Sequence, residues 1–222
     1  MSLFYHKWCV SGGKDSSAMI IRAKELGLRI DEVLFADTGK EFPEVYEYLD
    51  RLEDYLGITI RRLKPKTTWD DWFFGKSTRG KSKGKARGWP MAVAGGCWWN
   101  REAKLKPLGE ACKGSKRYIG IAVDEPKRIR TMPGYVYPLV DWSWTEQDCI
   151  DYLESKGMLA DIHTKFKRTG CYLCQKQRKG SLVTLCREYP ELWAELKRYD
   201  SFASFPMYDL DEIESTINIQ MK

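Results

Sequence analysis

The sequence predicts an α/β fold, a three-layer sandwich around a mainly parallel, twisted sheet, with a small cysteine-containing helical region towards its C-terminal end. Three observations carry this. Short β-branched and aromatic runs alternate with segments of helical period, an order that requires crossover connections and a parallel sheet. The first two helical segments are each closed by glycine, Gly27 and Gly57. Two glycine-containing polar motifs fall at the ends of strands, where open parallel sheets bind ligands.

Taken in order, residues 3–10 (LFYHKWCV) form an apolar run that stops at Ser-Gly-Gly, a first strand feeding a turn. SSAMIIRAKELG, from Ser16, has apolar residues at helical spacing and ends at Gly27. DEVLFADTG is a buried strand ending in Asp37-Thr38-Gly39, a second helix runs from Glu41 to Leu56, and ITIRRL is a third strand. Residues 64–96 read as irregular, with aromatic patches, a basic loop and WPMAVAGG. A helix is expected from Cys97 to Gly109, a fourth strand in KRYIGIAVDE, and a helix in EQDCIDYLESKG. Further helix follows the Cys171/Cys174 knuckle, and no internal repeat is present.

The bulk properties set limits. The 222 residues suffice for one substantial domain with an appendage. No segment approaches the ~20 apolar residues of a membrane span, and the first residues carry no secretory pattern, so the expected location is cytoplasmic. The seven cysteines are an odd number and read as thiols, metal ligands or catalytic groups before disulfides. Net charge is +6, and six basic residues with no acidic one lie between Lys76 and Arg87. That loop is either a solvated, mobile segment or an anion clamp for a nucleotide phosphate or an RNA backbone.

The first motif, Ser11-Gly12-Gly13-Lys14-Asp15-Ser16-Ser17, has a clear physical logic. Two glycines let the backbone turn tightly and bring successive N–H groups towards one anion. The helix that follows adds unpaired N–H groups and a favourable dipole. Serines add hydroxyl donors, Lys14 adds charge, and Asp15 suits magnesium bound to phosphates or a helix cap. The spacing is neither a Walker A loop nor GxGxxG.

SGGKDSS after a first strand resembles the signature of the PP-loop (N-type ATP pyrophosphatase) superfamily. FADTGKEFPEVYEYL, YIGIAVDEPKRI and YPLVDWSWTEQDCIDYL resemble successive segments of its phosphoadenosine-phosphosulfate (PAPS) reductase branch, with an adenine nucleotide alpha hydrolase-like fold. GCYLC followed by YPELWAEL is similar to the cysteine pair and next helix of many phage-associated members. The likeness covers about residues 8–196. It implies a nucleotide-binding domain over 1–145 and a helical subregion over 146–222 packed on it. An adenine nucleotide, ATP with Mg2+ or a sulfonucleotide (PAPS or APS), would lie across the strand ends. Ser11, Gly12, Gly13, Ser16 and Ser17 would surround its terminal phosphate or sulfate, with Asp37 and Thr38 near its ribose or base and Gly39 among the nucleotide-binding residues. Gly120 would let the chain pass close to the nucleotide, Glu125 and Arg128 would sit near its distal group, and Arg101 would join the nucleotide-binding residues. Lys14, Asp15 and Asp37 would carry catalysis. The oligomeric state stays open, with a homodimer among the assemblies considered.

Cys171-x2-Cys174 lets two thiolates face one centre. Cys97, Cys112 and Cys186 are candidates for the remaining ligands, and Cys97 precedes REAKLKPL, similar to a segment where relatives carry cluster cysteines. A 4Fe-4S cluster, zinc, a redox thiol pair and simple packing all stay open. Cys9 and Cys149 read as core, and His163 as a structural histidine.

Two chemistries fit. ATP adenylates an acceptor, tRNA or another nucleic acid among the candidates, with release of pyrophosphate, and sulfur or an amine then displaces AMP. Alternatively a cysteine thiolate attacks a sulfonucleotide and sulfite is released. The reductases carry that cysteine near the C-terminus, whereas here no cysteine follows Cys186, so transfer is the expectation. A non-catalytic nucleotide- or RNA-binding module is the third reading.

Overall fold

A computed structural model describes residues 4–78, 80–91 and 96–220. Leu3 of the first expected strand, Arg79 of the basic loop and residues 92–95 of WPMAVAGG lie outside them.

The strands are β1 (His6–Val10), β2 (Glu32–Ala36), β3 (Ile60–Leu63), β4 (Lys116–Ile119) and β5 (Tyr135–Val136), hydrogen-bonded in the order β3-β2-β1-β4-β5 and parallel throughout. The register sets Cys9 against Leu34 on one side and Ile119 on the other. Strand order reverses between β2 and β4 around β1, so the turn leaving β1 opens at the switch point where such sheets form crevices.

Period-2 alternation decides the layers. Trp8, Val10, Val33 and Phe35 face the main core with α1 (Lys14–Glu25) and α2 (Pro43–Leu56), whereas Leu34, Ala36 and Leu63 face a smaller cluster with Leu108 and Cys112. Both faces are therefore covered, and the sheet is the middle of three layers. Helix α1 begins two residues before the expected Ser16, because Gly13 already serves as its extended N-cap.

Three stretches differ from the sequence reading. Residues read as irregular contain a short helix, α3 (Trp69–Phe74), capped by the Thr68 side chain. The basic segment is an ordered hairpin: Lys76 pairs with Ala86, and Ser77 N–H donates to Lys85 O at 2.8 Å. Its base rests on an aromatic cluster of Phe73, Trp89, Tyr199 and Phe205. The helix expected from Cys97 to Gly109 is present but not uniform: α4 (Trp98–Asn100), one π turn over Arg101–Leu105, and α5 (Lys106–Ala111) follow one another through Pro107. Proline lacks the N–H of a regular turn and its ring crowds the carbonyl four residues back, and the wider turn falls just before it. The two-residue β5 has too short a pattern to be seen in sequence.

The later helices are α6 (Pro138–Asp141), α7 (Glu146–Ser155), α8 (Ile162–Lys165), α9 (Lys179–Glu188), α10 (Pro190–Phe202) and α11 (Leu210–Gln220). α7 packs along α1, and residues of α9, α10 and α11 join the main core cluster, which crosses the 145/146 boundary. Among the described residues no helix is long and apolar enough to cross a membrane.

Candidate active site

The turn after β1 is held by its own hydroxyls. Ser11 N–H donates to Ser16 Oγ at 3.0 Å, and Ser16 and Ser17 hydroxyls donate to Gly13 O at 3.0 and 2.9 Å. Gly12 has φ +71°, a left-handed conformation costly for any other residue, and a Cβ there would meet Val45 Cγ1 at 2.8 Å. Ser16 and Ser17 are buried, so they shape the turn, while Ser11 is exposed.

Gly120 follows β4 and passes against α1: a Cβ there would lie 2.7 Å from Ser16 Cα. Its close neighbour is thus the helix that carries the turn. Beyond it, Asp15, Glu125 and Glu146 each bring an oxygen within 4.8 Å of the others. Lys14 Nζ stands 3.3 Å from Asp15 and 3.1 Å from Glu146, and Arg128 pairs with Glu125. Burial raises the pKa of Asp15 more than Lys14 lowers it, with Glu146 and Glu125 adding to the rise. Lys14 is driven the other way: burial disfavours its charge, yet Asp15 and Glu146 together keep its pKa above the ordinary lysine value. Three carboxylates around Lys14 and Arg128, at a helix start, form a donor set that fits Mg2+.

Glu146 was missed in sequence, although its signal lay in WTEQD: Thr145 caps α7 in a capping box with Asp148, which makes Glu146 the first helical residue. Asp124 accepts its N–H at 3.2 Å. His163 is the second omission. It lies beside Gly12 and Lys14, its Nε2 is buried without a hydrogen-bond partner, and burial with the Lys14 charge lowers its pKa.

The Asp37-Thr38-Gly39 turn is tied down. Asp37 accepts hydrogen bonds from Gly39 N–H and Tyr46 OH, both at 2.7 Å, so it caps its own turn rather than joining the acidic trio. Thr38 Oγ1 donates to buried Glu41 at 3.0 Å, and Glu41 accepts Lys104 Nζ at 2.8 Å. Gly39 takes φ +70°. Arg101 is exposed and lies over Trp98, with its guanidinium 5.6 Å from the ring.

Two cavities flank this turn. One of 540 Å³ is bordered by Asp37, Lys40, Lys64, Thr68, Asp70 and Arg198. The other, of 530 Å³, is lined by Cys97, Cys171 and Cys174, and Thr38 and Trp69 border both. Burial pushes the Cys171 thiol well up, with Glu41 contributing, and burial raises Cys174 as well. Cys97 also caps α4, accepting Asn100 N–H at 3.5 Å.

The expected ligand set is corrected in part. Cys186, one residue past buried Leu185 on α9, is turned to the side of Lys197 and Glu214 and lines neither cavity. Cys112 lies with Cys9 in the smaller cluster across the sheet. Among the described residues the cysteine-lined cavity offers three thiols and no histidine, one donor short of a closed four-ligand centre.

The family model described as phosphoadenosine phosphosulfate reductase domain matches residues 7–177. An uncharacterised protein of Methanocaldococcus jannaschii is 28% identical over 202 residues, 82% of this chain and 38% of that one. The adenosine 5'-phosphosulfate reductase of Mycolicibacterium smegmatis is 24% identical over 190 residues, 77% and 72% of the two chains. The crystal structure of PAPS reductase from Candida auris, a phosphate complex, matches with a TM-score of 0.55 at 14% identity over 78% of this chain and 83% of that one, a likeness of fold. The chain spans 38% and 48% of the lengths of two archaeal relatives.

Proposed function

The chain belongs to the phosphoadenosine phosphosulfate reductase family, and from that premise we propose an adenine-nucleotide enzyme that binds ATP at the Ser11–Ser17 turn for adenylation-coupled sulfur or amine transfer. The observation that carries this reading is the Asp15, Glu125 and Glu146 trio beside the turn. A metal–triphosphate needs such carboxylates, whereas a bare sulfonucleotide would be repelled by them.

Mg2+ held by the trio would supply charge neutralisation at the phosphates. Lys14 and the N–H groups at the start of α1 bind and orient the β- and γ-phosphates, and stabilise charge on departing pyrophosphate. An acceptor oxygen attacks the α-phosphorus and the bond to pyrophosphate breaks. The activated acceptor then loses AMP to a sulfur or amine nucleophile. Thr38 and Gly39 border the ribose or base. Thr169 Oγ1 lies 3.7 Å from where a Gly13 Cβ would stand, which joins the turn to the cysteine-lined cavity.

Those three thiols favour a second reading, sulfonucleotide reduction. One thiolate attacks the sulfonucleotide sulfur and the nucleoside phosphate leaves. A second thiol then attacks the S-sulfocysteine sulfur, sulfite leaves, and a disulfide remains for an external dithiol to reduce.

Calorimetric titration with Mg2+-ATP and with PAPS separates the two. Adenylation expects ATP binding that requires Mg2+ and is lost in Asp15→Ala. Metal-independent preference for PAPS, with sulfite released on adding dithiol, would replace it with reduction.

A further inference from the structure

The cysteine-lined cavity is unusual in its charge. Lys104, Lys167, Arg168, Lys176 and Arg178 line it, and among its described lining residues there is no aspartate or glutamate. Lys104 is matched by Glu41. The other four have no carboxylate partner among the described residues, in a chain whose cations are otherwise widely paired. Four unmatched cations around one space raise a positive potential that attracts anions.

Gln175 supplies an independent observation. It is 2% exposed, it lines the same cavity, and neither its Nε2 nor its Oε1 has a hydrogen-bond partner. A buried amide left unpaired on both atoms is costly and implies a missing partner. It needs an acceptor and a donor side by side. A phosphate or sulfate offers acceptors only, whereas a nucleobase edge offers both. The buried indoles of Trp69 and Trp99 form an aromatic wall beside it, suited to a base face.

The basic surface continues beyond the cavity. Arg87, at the foot of the hairpin, lies 4.5 Å over Trp72, and Trp72 packs against Trp99 at 6.2 Å. Lys81, Lys83 and Lys85 project from the same hairpin and are exposed. A mononucleotide has no further phosphates to meet them, but a strand does.

We propose that this cavity receives one nucleotide of a single-stranded nucleic acid, with the base edge on Gln175 and the flanking phosphates on Lys167, Arg168, Lys176 and Arg178. The proposal rests on the adenine-nucleotide reading above and names the acceptor class for it. The cavity's 530 Å³ suits one nucleotide, and its thiols then stand beside the base.

The test is fluorescence anisotropy of the full chain with short labelled single-stranded RNA and DNA over a salt series, with Mg2+-ATP binding followed calorimetrically on the same samples. The expected result is binding that weakens with salt. The exposed pair Lys176→Glu, Arg178→Glu should weaken it about tenfold or more and flatten the salt dependence. Gln175→Ala should weaken it about tenfold or more with the salt slope kept. ATP affinity should be unaltered in both variants. A protein that binds ATP but no strand overturns the proposal, as does strand binding indifferent to both variants. A free mononucleotide competing as well as the strand overturns the strand in favour of a small nucleotide. Strand binding without ATP binding overturns the adenylation reading and leaves this site standing.

Discussion

Gly120 presses the end of β4 against the start of α1 so closely that an added Cβ would lie 2.7 Å from Ser16 Cα and 2.8 Å from Ser16 N. The obstacle is backbone, which no rotamer change can clear. Gly120→Ala should therefore move the first turn of α1 and cost about 1–3 kcal/mol. Lower thermal stability with weakened nucleotide binding is the expected pair of results. A variant with native melting temperature and affinity would show that the contact is loose.

Gly12 carries two separate constraints, the left-handed φ of +71° and the side chain of Val45. Gly12→Ala meets both. Adding Val45→Ala should recover the steric part and leave the backbone part, about 1–2 kcal/mol. A double-mutant cycle by chemical denaturation reads the split; strictly additive losses would mean that Val45 is not the obstacle.

Asp15 gives a pH dependence with a definite sign. Burial raises its pKa above the unfolded value, so the folded chain holds the proton more tightly. Its contribution to stability is thus present at low pH and is lost as pH rises through the folded pKa. Cation binding needs the carboxylate, so Mg2+-ATP affinity should rise over that window with proton release. Titrations in buffers of different ionisation enthalpy measure the proton, and Asp15→Asn should abolish it. A wild-type affinity flat with pH throughout the acid range would remove Asp15 from the metal site.

Glu41 and Lys104 form a largely buried ion pair, with the Glu41 side chain 2% exposed. Lys104→Met strands the carboxylate and should destabilise by about 3–5 kcal/mol. Glu41→Gln in the same chain should restore much of that loss, because the amide can still accept from Thr38 Oγ1. Urea unfolding of the wild type, the single and the double variant decides it, and a harmless single substitution would contradict the pairing.

On the far face, Cys9 and Cys112 share a thiol hydrogen bond that lowers Cys112 to about 7, helped by Arg117 and Lys7 against burial, and raises Cys9. Alkylation followed by peptide mass spectrometry should label Cys112 ahead of Cys9, with its rate reaching half of its own plateau near pH 7. Cys9→Ser should shift that midpoint.

The sheet and its first crevice were legible because β2 is an apolar run buried on both faces and glycine-closed helices join β1, β2 and β3. SGGKDS was legible for the same reason: glycine identity and a helix start are local facts. What escaped was non-local. Glu146 reaches Asp15 only after α7 packs along α1, and its motif marks a helix start, not that neighbour. His163 reaches Gly12 from the short helix α8, more than 140 residues later in the chain. Cys186 misled because cysteine count says nothing of helix phase. Trp69–Phe74 hid because aromatic residues at that density fit a loop patch as well as a short helix.

Tyr172 sits between the two thiols of the knuckle. Its N–H donates to Lys40 O at 2.9 Å, its hydroxyl binds Glu195, and Lys40 Nζ reaches the same carboxylate at 2.5 Å. The knuckle, the Asp37–Lys40 turn and α10 are therefore riveted at a single carboxylate. In engineering terms they make one cassette: to graft this thiol loop onto another member of the family, Lys40 and Glu195 must travel with it.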